Sequence, residues 1–307
     1  MAKPPETQPF AVEQVNRLLG QLAFQISRIL RPHDSSSVHN LRIAVRRFAR
    51  ALRVFEPCFP PRDLKKIRRR LQEIMAPARE WRDCDLAINL LSGSKAAEAT
   101  ALQARLERQR KDAEHMLLGT LRRWMERKTS LKWRTRLKSA FVARGDAAET
   151  AAEMLPDLAR EFFDRGRQAV NAGSSADAFH QFHGAAKKFR YTLELFAPLY
   201  SRALRVWVER VKSVHTLASR IDDGSAVRKT FAQGGRIEAV DAELEKKQRK
   251  QIDEFRREWK ESFSSPDHAR EWIHYLQNSA GKASTARKPM ARSAAASNVS
   301  GRNVQRA

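Results

Sequence analysis

A chain of 307 residues with 42% hydrophobic side chains can bury a core of its own, which excludes disorder along its whole length. Its 59 Lys and Arg against 35 Asp and Glu leave a formal charge of +24, an excess that repels itself and attracts polyanions. Two cysteines, Cys58 and Cys84, are too few for a disulfide framework and lack zinc-ligand spacing. No stretch reaches the roughly 18 apolar residues of a membrane span. The start, MAKPPETQPF, has no apolar run of a secretory signal, so the expectation is a soluble cytoplasmic protein with reduced thiols.

Almost every patterned segment has helical spacing, and alternating β-type runs are missing. The spacing predicts helices over 10–31, 36–56, 61–77, 79–92, 95–127, 129–144, 149–171, 176–200, 201–222, 225–234, 237–263 and 266–278. Asp34 with Ser35–Ser37 is placed to cap the second of these, and Ser174, Ser175 and Asp177 the helix after Gly173. Residues 1–9 read as a flexible start. Residues 10–278 read as one all-α domain with a first half over about 10–145 and a second over about 149–278. Residues 279–307 read as a disordered tail; from Gly281 it holds six basic residues and no acidic one, so +18 of the charge stays on the body. Segment 242–263 mixes charge signs every few residues, with Leu244, Ile252, Phe255 and Trp259 for docking.

The second predicted helix has two faces. On a wheel of about 100° per residue, His39, Arg42, Arg46, Arg50 and Arg53 fall in one strip, with Arg47 on its shoulder. Leu41, Ala44, Val45, Phe48, Ala51, Leu52 and Phe55 fall opposite. A similar helix follows 141 positions later: His180, His183, Lys187, Lys188 and Tyr191 take the places of His39, Arg42, Arg46, Arg47 and Arg50. Phe182, Ala186, Phe189, Leu193 and Phe196 repeat the apolar face, and Arg190 adds a cation where the first copy has Ala49. At an offset of 140 the match continues, pairing Leu64, Lys65, Arg70, Ile74, Ala78 and Asp83 with Leu204, Arg205, Arg210, Val214, Ala218 and Asp223. This reads as an internal duplication, and two similar helical halves tend to pack with pseudo-two-fold symmetry.

These residues resemble the signature helices of the CHAD family, in which each half carries His-x-x-Arg and a following basic pair. Here the copies run from His39 to Arg47 and from His180 to Tyr191, with Arg82-Asp83-Cys84-Asp85 and Asp222-Asp223 matching the acidic elements further on. The resemblance covers about residues 10–278. It implies two four-helix bundles around a basic central cavity that binds inorganic polyphosphate, extra C-terminal helices, and location at polyphosphate granules. The implied binding residues are His39, Arg42, Arg46, Arg47, Arg50, Arg53, Lys65, His180, His183, Lys187, Lys188, Arg190, Tyr191 and Arg205. The chain departs from the pattern at His183, where an Arg is usual, at Ala49, and at Glu194, which stands opposite Arg53 in the match.

The chemistry of the stripe suits that ligand. Arg presents a planar fork to phosphate oxygens, Lys acts as a compact charge, and His adds charge once protonated beside an anion. Against a solvated helix face, the repetition of the stripe favours a site. His180 and His183 stand three apart but lack further ligands at zinc spacing, so neither a metal nor a cofactor is expected. Asp83, Asp85, Asp222 and Asp223 read as helix caps or partners of arginines rather than as a magnesium site. The six Trp read as core. With no nucleophile elbow and no Gly-rich phosphate loop, the expectation is a binding protein and not an enzyme. The alternatives are a nucleic-acid-binding protein, with the tail as a candidate contact, and a phosphohydrolase or its accessory subunit.

Overall fold

The structure, a computed structural model, describes residues 6–31, 35–91, 97–138, 145–171, 176–234 and 238–280. Residues 1–5, Asp34, Ser174, Ser175 and residues 281–307, on which expectations about the flexible start, the caps and the tail fall, lie outside the described residues.

Among the described residues there are ten α-helices and no strand. They are α1 (Thr7–Ile29), α2 (Ser35–Val54), α3 (Pro61–Leu91), α4 (Ala97–Glu126), α5 (Thr129–Lys138), α6 (Ala147–Asn171), α7 (Ala176–Phe196), α8 (Ala203–Gly234), α9 (Glu238–Phe263) and α10 (Pro266–Asn278). The order is the same in each half: two helices, a short 3-10 turn (Glu56–Cys58 or Ala197–Leu199), a long helix, then two more. Helices α9 and α10 pack on α8 and α6 as α4 and α5 pack on α3 and α1.

The apolar stripes dictate this packing. Helix α1 buries Ala11, Val15, Leu18, Leu22 and Ile26 at spacings of three and four. It starts earlier than the periodicity predicts, because the Thr7 amide and hydroxyl both donate to the Gly145 carbonyl, at 3.1 and 3.0 Å. Gly145 holds φ at +123°, a conformation that side chains rarely adopt.

Two predicted breaks are absent. Helix α3 runs through Pro77, although proline in a helix interior costs about 3 kcal/mol. Leu64, Ile67, Leu71 and Ile74 before it and Ala78 and Trp81 after it form one buried face, whose burial outweighs that cost. Helix α8 likewise continues through Asp222, Asp223 and Gly224.

The halves meet like on like: α1 on α6, α2 on α7 and α3 on α8. Phe55 and Phe196, partners in the sequence match, touch edge to face at 5.6 Å, and Phe10 stacks on Phe196 at 6.0 Å. Each half has its own aromatic anchor, Trp133 on Phe48 at 6.0 Å and Trp272 beside Phe189 at 6.1 Å. In the second half Trp259 sits among Phe162, Phe182 and Phe263 and lies directly over Gly166. Five of the six Trp are buried, and Trp207 is half-buried against Trp272. Leu244, Ile252, Phe255 and Trp259 dock α9 as its spacing predicts. Both cysteines are free and buried.

Candidate functional site

Helices α2 and α7 bury their apolar faces in their own halves, so their polar faces turn toward the seam between the halves. Long helices α3 and α8 add side chains from their middles. The cations therefore concentrate where the halves meet.

Arg42 lies deepest. It is 8% exposed, and its Nε is buried with no hydrogen-bond partner among the described residues. Burial first, then the charge of Arg46, lowers its pKa from 12.5 to about 10, against the pull of Asp83 and Asp223. Burial and then Arg46 also hold the Lys187 ammonium below the usual lysine range, with Asp222 pulling the other way and Arg79 and Lys188 adding to the repulsion. Burial lowers the His39 imidazole, and Arg82, Arg42 and Arg46 lower it further. Arg42, Arg46, Arg79, Arg82 and Lys187 thus share one region with Asp83, Asp222 and Asp223.

The carboxylates are not helix caps. Asp83, Asp222 and Asp223 lie well inside α3 and α8. Burial pushes the Asp83 and Asp223 carboxyls up, although Arg42 opposes it. Asp222 would also be raised by burial, but hydrogen bonds from His183 and His180 overcome this and hold it at about 2. The two rings donate through Nδ1 to its two oxygens, at 2.9 Å from His183 and 2.8 Å from His180. Of these four carboxylates, Asp85 alone takes an arginine as its direct partner among the described residues, Arg110 at 2.6 Å.

The predicted site residues divide into three groups. His39, Arg42, Arg46, His180, His183 and Lys187 come together at the seam. A second group is held by internal partners: Arg47 by Glu194 at 2.9 Å, Lys188 by Glu161 at 2.8 Å, and Arg50 by the Thr192 hydroxyl at 2.9 Å. Arg190 is buried between Glu194 at 3.0 Å and His215 Nδ1 at 3.1 Å. Burial and neighbouring cations lower His215 to about 2, so its ring is neutral and accepts from Arg190. Tyr191 is buried beneath Arg47 and Arg190, whose guanidiniums lie 5.9 and 5.6 Å from its ring. The third group, Arg53, Lys65 and Arg205, is exposed. Lys65 lies roughly 21 Å along α3 from Arg79, at 1.5 Å per residue.

Glu194, the departure from the first stripe, is therefore an internal counter-charge for Arg47 and Arg190. Arg79 and Arg82 are the residues the sequence reading missed. Their signal was the Asp83–Asp223 match in the sequence, which aligns this stretch of α3 with the part of α8 that carries Asp222 and Asp223.

Known proteins agree with this architecture. The model of the CHAD domain family matches residues 13–233. The crystal structure of the CHAD domain from the plant Ricinus communis superposes with a TM-score of 0.61 at 18% identity, covering 89% of this chain and 93% of that one. PptA from Streptomyces chartreusis superposes with a TM-score of 0.54 at 15% identity, over 89% of this chain and 99% of that one. No curated protein matches. None of the helices, among the described residues, is long and apolar enough to cross a membrane. With the family model spanning well over half of its length, the chain belongs to the CHAD domain family.

Proposed function

We propose that this protein binds inorganic polyphosphate, without transforming it, in the seam between its halves. The observation that carries this reading is the crowding of buried Arg42 and Lys187 around Arg46, with Arg79 and Arg82 beside them. Burial and the neighbouring cations disfavour the charged forms of Arg42 and Lys187, and one of the three nearby carboxylates is already engaged by His180 and His183. A chain of condensed phosphates supplies a row of anionic oxygens at close spacing and carries no base to be read. Arg forks and a Lys charge on facing helices meet that row. Neutralisation of desolvated cations by the ligand then drives binding, with the salt dependence of any polyanion contact.

The non-enzymatic reading rests on the state of the polar groups. Asp222 holds two imidazoles, His215 stays neutral against Arg190, and Asp83 and Asp223 face Arg42. None of these is a base beside a nucleophile. Residence at polyphosphate granules follows if the seam holds long chains. The test is Arg46→Glu with Lys187→Glu, both half-buried side chains on helix faces away from the core. The tight binding of long-chain polyphosphate is expected to be lost while the helical circular dichroism stays. Unchanged affinity in that variant contradicts the proposal.

A further inference from the structure

Away from the seam, on the outer side of the first half, a second concavity encloses about 260 Å³ between α3, α4 and α5. Seven Lys and Arg side chains line it against one carboxylate, Glu73. That carboxylate is engaged, 2.5 Å from Arg70 and 3.8 Å from Arg69, and Asp63 nearby lies 3.8 Å from Arg136. Lys66, Arg123, Arg127 and Lys132 have no carboxylate partner among the described residues. The indole N–H of Trp124, a side chain that is 5% exposed and lines the same concavity, is buried without a hydrogen-bond partner among the described residues. Between α4 and α5 the chain turns through Lys128 at a φ of 48°, an uncommon left-handed conformation for a residue other than glycine. The turn keeps Arg127 and Lys132 on the same concavity.

The fold does not require this charge. Trp133 on Phe48 and Trp272 beside Phe189 mark the same place in the two halves. In that register Val206, Glu209, Glu271 and Tyr275 stand where the first half has Lys66, Arg69, Lys132 and Arg136. The second half fills its corner with Trp207 stacked on Trp272 at 4.2 Å and Tyr275 at 4.8 Å from Trp207. One half has an aromatic plug, and the other an open basic pocket.

We propose that this pocket is a second, separate anion site that takes a compact compound of several phosphate groups. The two Trp rings are buried and offer no face for a base, so phosphate charge and not a nucleobase is what the pocket recognises. Guanidiniums from two sides suit bidentate contacts to phosphate oxygens.

Tripolyphosphate is the probe, titrated calorimetrically into the full-length protein at low salt. Arg127→Glu with Lys132→Glu is expected to lose one equivalent, and so is the independent pair Lys66→Glu with Arg123→Glu. In the Arg46→Glu, Lys187→Glu background, either pair should abolish the binding that remains. If only the seam reading is wrong, the Arg46, Lys187 variant binds like the parent while both pocket pairs still lose one equivalent. The proposal is overturned if neither pair changes the number of equivalents in either background. It is overturned equally if duplex DNA, at equal phosphate, displaces tripolyphosphate from the Arg46→Glu, Lys187→Glu protein, since the pocket then takes a nucleic-acid backbone.

Discussion

Replacing Arg42 by methionine should make the protein more stable and a poorer binder at once. The guanidinium pKa falls from 12.5 to about 10 on folding. At 1.36 kcal/mol per pH unit, the fold opposes the charged form by about 3 kcal/mol. The sign is that of a cation whose folded pKa lies below its unfolded value: the penalty is present at neutral pH and relieved only as the pH rises through 10. Methionine fills most of the volume without the charge. Part of the gain is offset because Asp83 and Asp223 lose an opposing cation, a term of about 1–2 kcal/mol. The net expectation is a stabilisation of about 1–2 kcal/mol, read as a rise of roughly 2–4 °C per kcal/mol in thermal melting of the ligand-free protein. Polyphosphate binding should weaken about 10- to 100-fold, the value of one charge-assisted contact. A variant that melts below the parent, or that binds equally well, refutes the reasoning.

Arg47→Ala should change polyphosphate affinity less than about twofold, because Glu194 already occupies Arg47, whereas Arg46→Ala should weaken it about tenfold in the same titration. An anion in the seam cancels the fields of Arg82, Arg42 and Arg46 that lower His39, so its pKa rises on binding. Affinity should then grow as the pH falls from about 8 to about 5, with proton uptake measured by calorimetry in buffers of different ionisation heat, and His39→Gln should lose that part of the uptake. Gly166→Ala would place its Cβ 1.8 Å from Cη2 of Trp259. Overpacking of about 1–3 kcal/mol or more exceeds the gain of about 1 kcal/mol in helix propensity, so denaturant titration should show a lower midpoint.

How much of this was legible in the sequence depended on the range of the interaction. The apolar faces of α2 and α7 follow from a 3.6-residue period that each helix carries alone, and Leu41, Phe48, Phe182 and Phe189 are buried as that period predicts. The seam cations could be read because the stripe occurs twice. Which of them are free could not, since Arg47 meets Glu194 and Arg50 meets Thr192 only across the seam, more than 140 residues apart. Local signals also misled. Pro77 and the Asp222-Asp223-Gly224 run read as helix ends, so Arg79 and Arg82 fell beside an apparent break and the carboxylates looked like caps. Tertiary burial on both sides of each position carries the helices through. The pocket against α5 had no signal of its own, since its cations come from three helices that the fold brings together.

Binding of long-chain polyphosphate to the full chain and to a chain ending at Ala280 decides whether the seam is the site. The titration runs across a salt series, with single- and double-stranded DNA at equal phosphate as competitors. Both chains should bind, DNA should fail to displace the polymer from the shorter one, and Arg46→Glu with Lys187→Glu should remove the tight binding in each. Equal displacement by DNA, or binding that disappears with the tail, contradicts a seam shaped for polyphosphate.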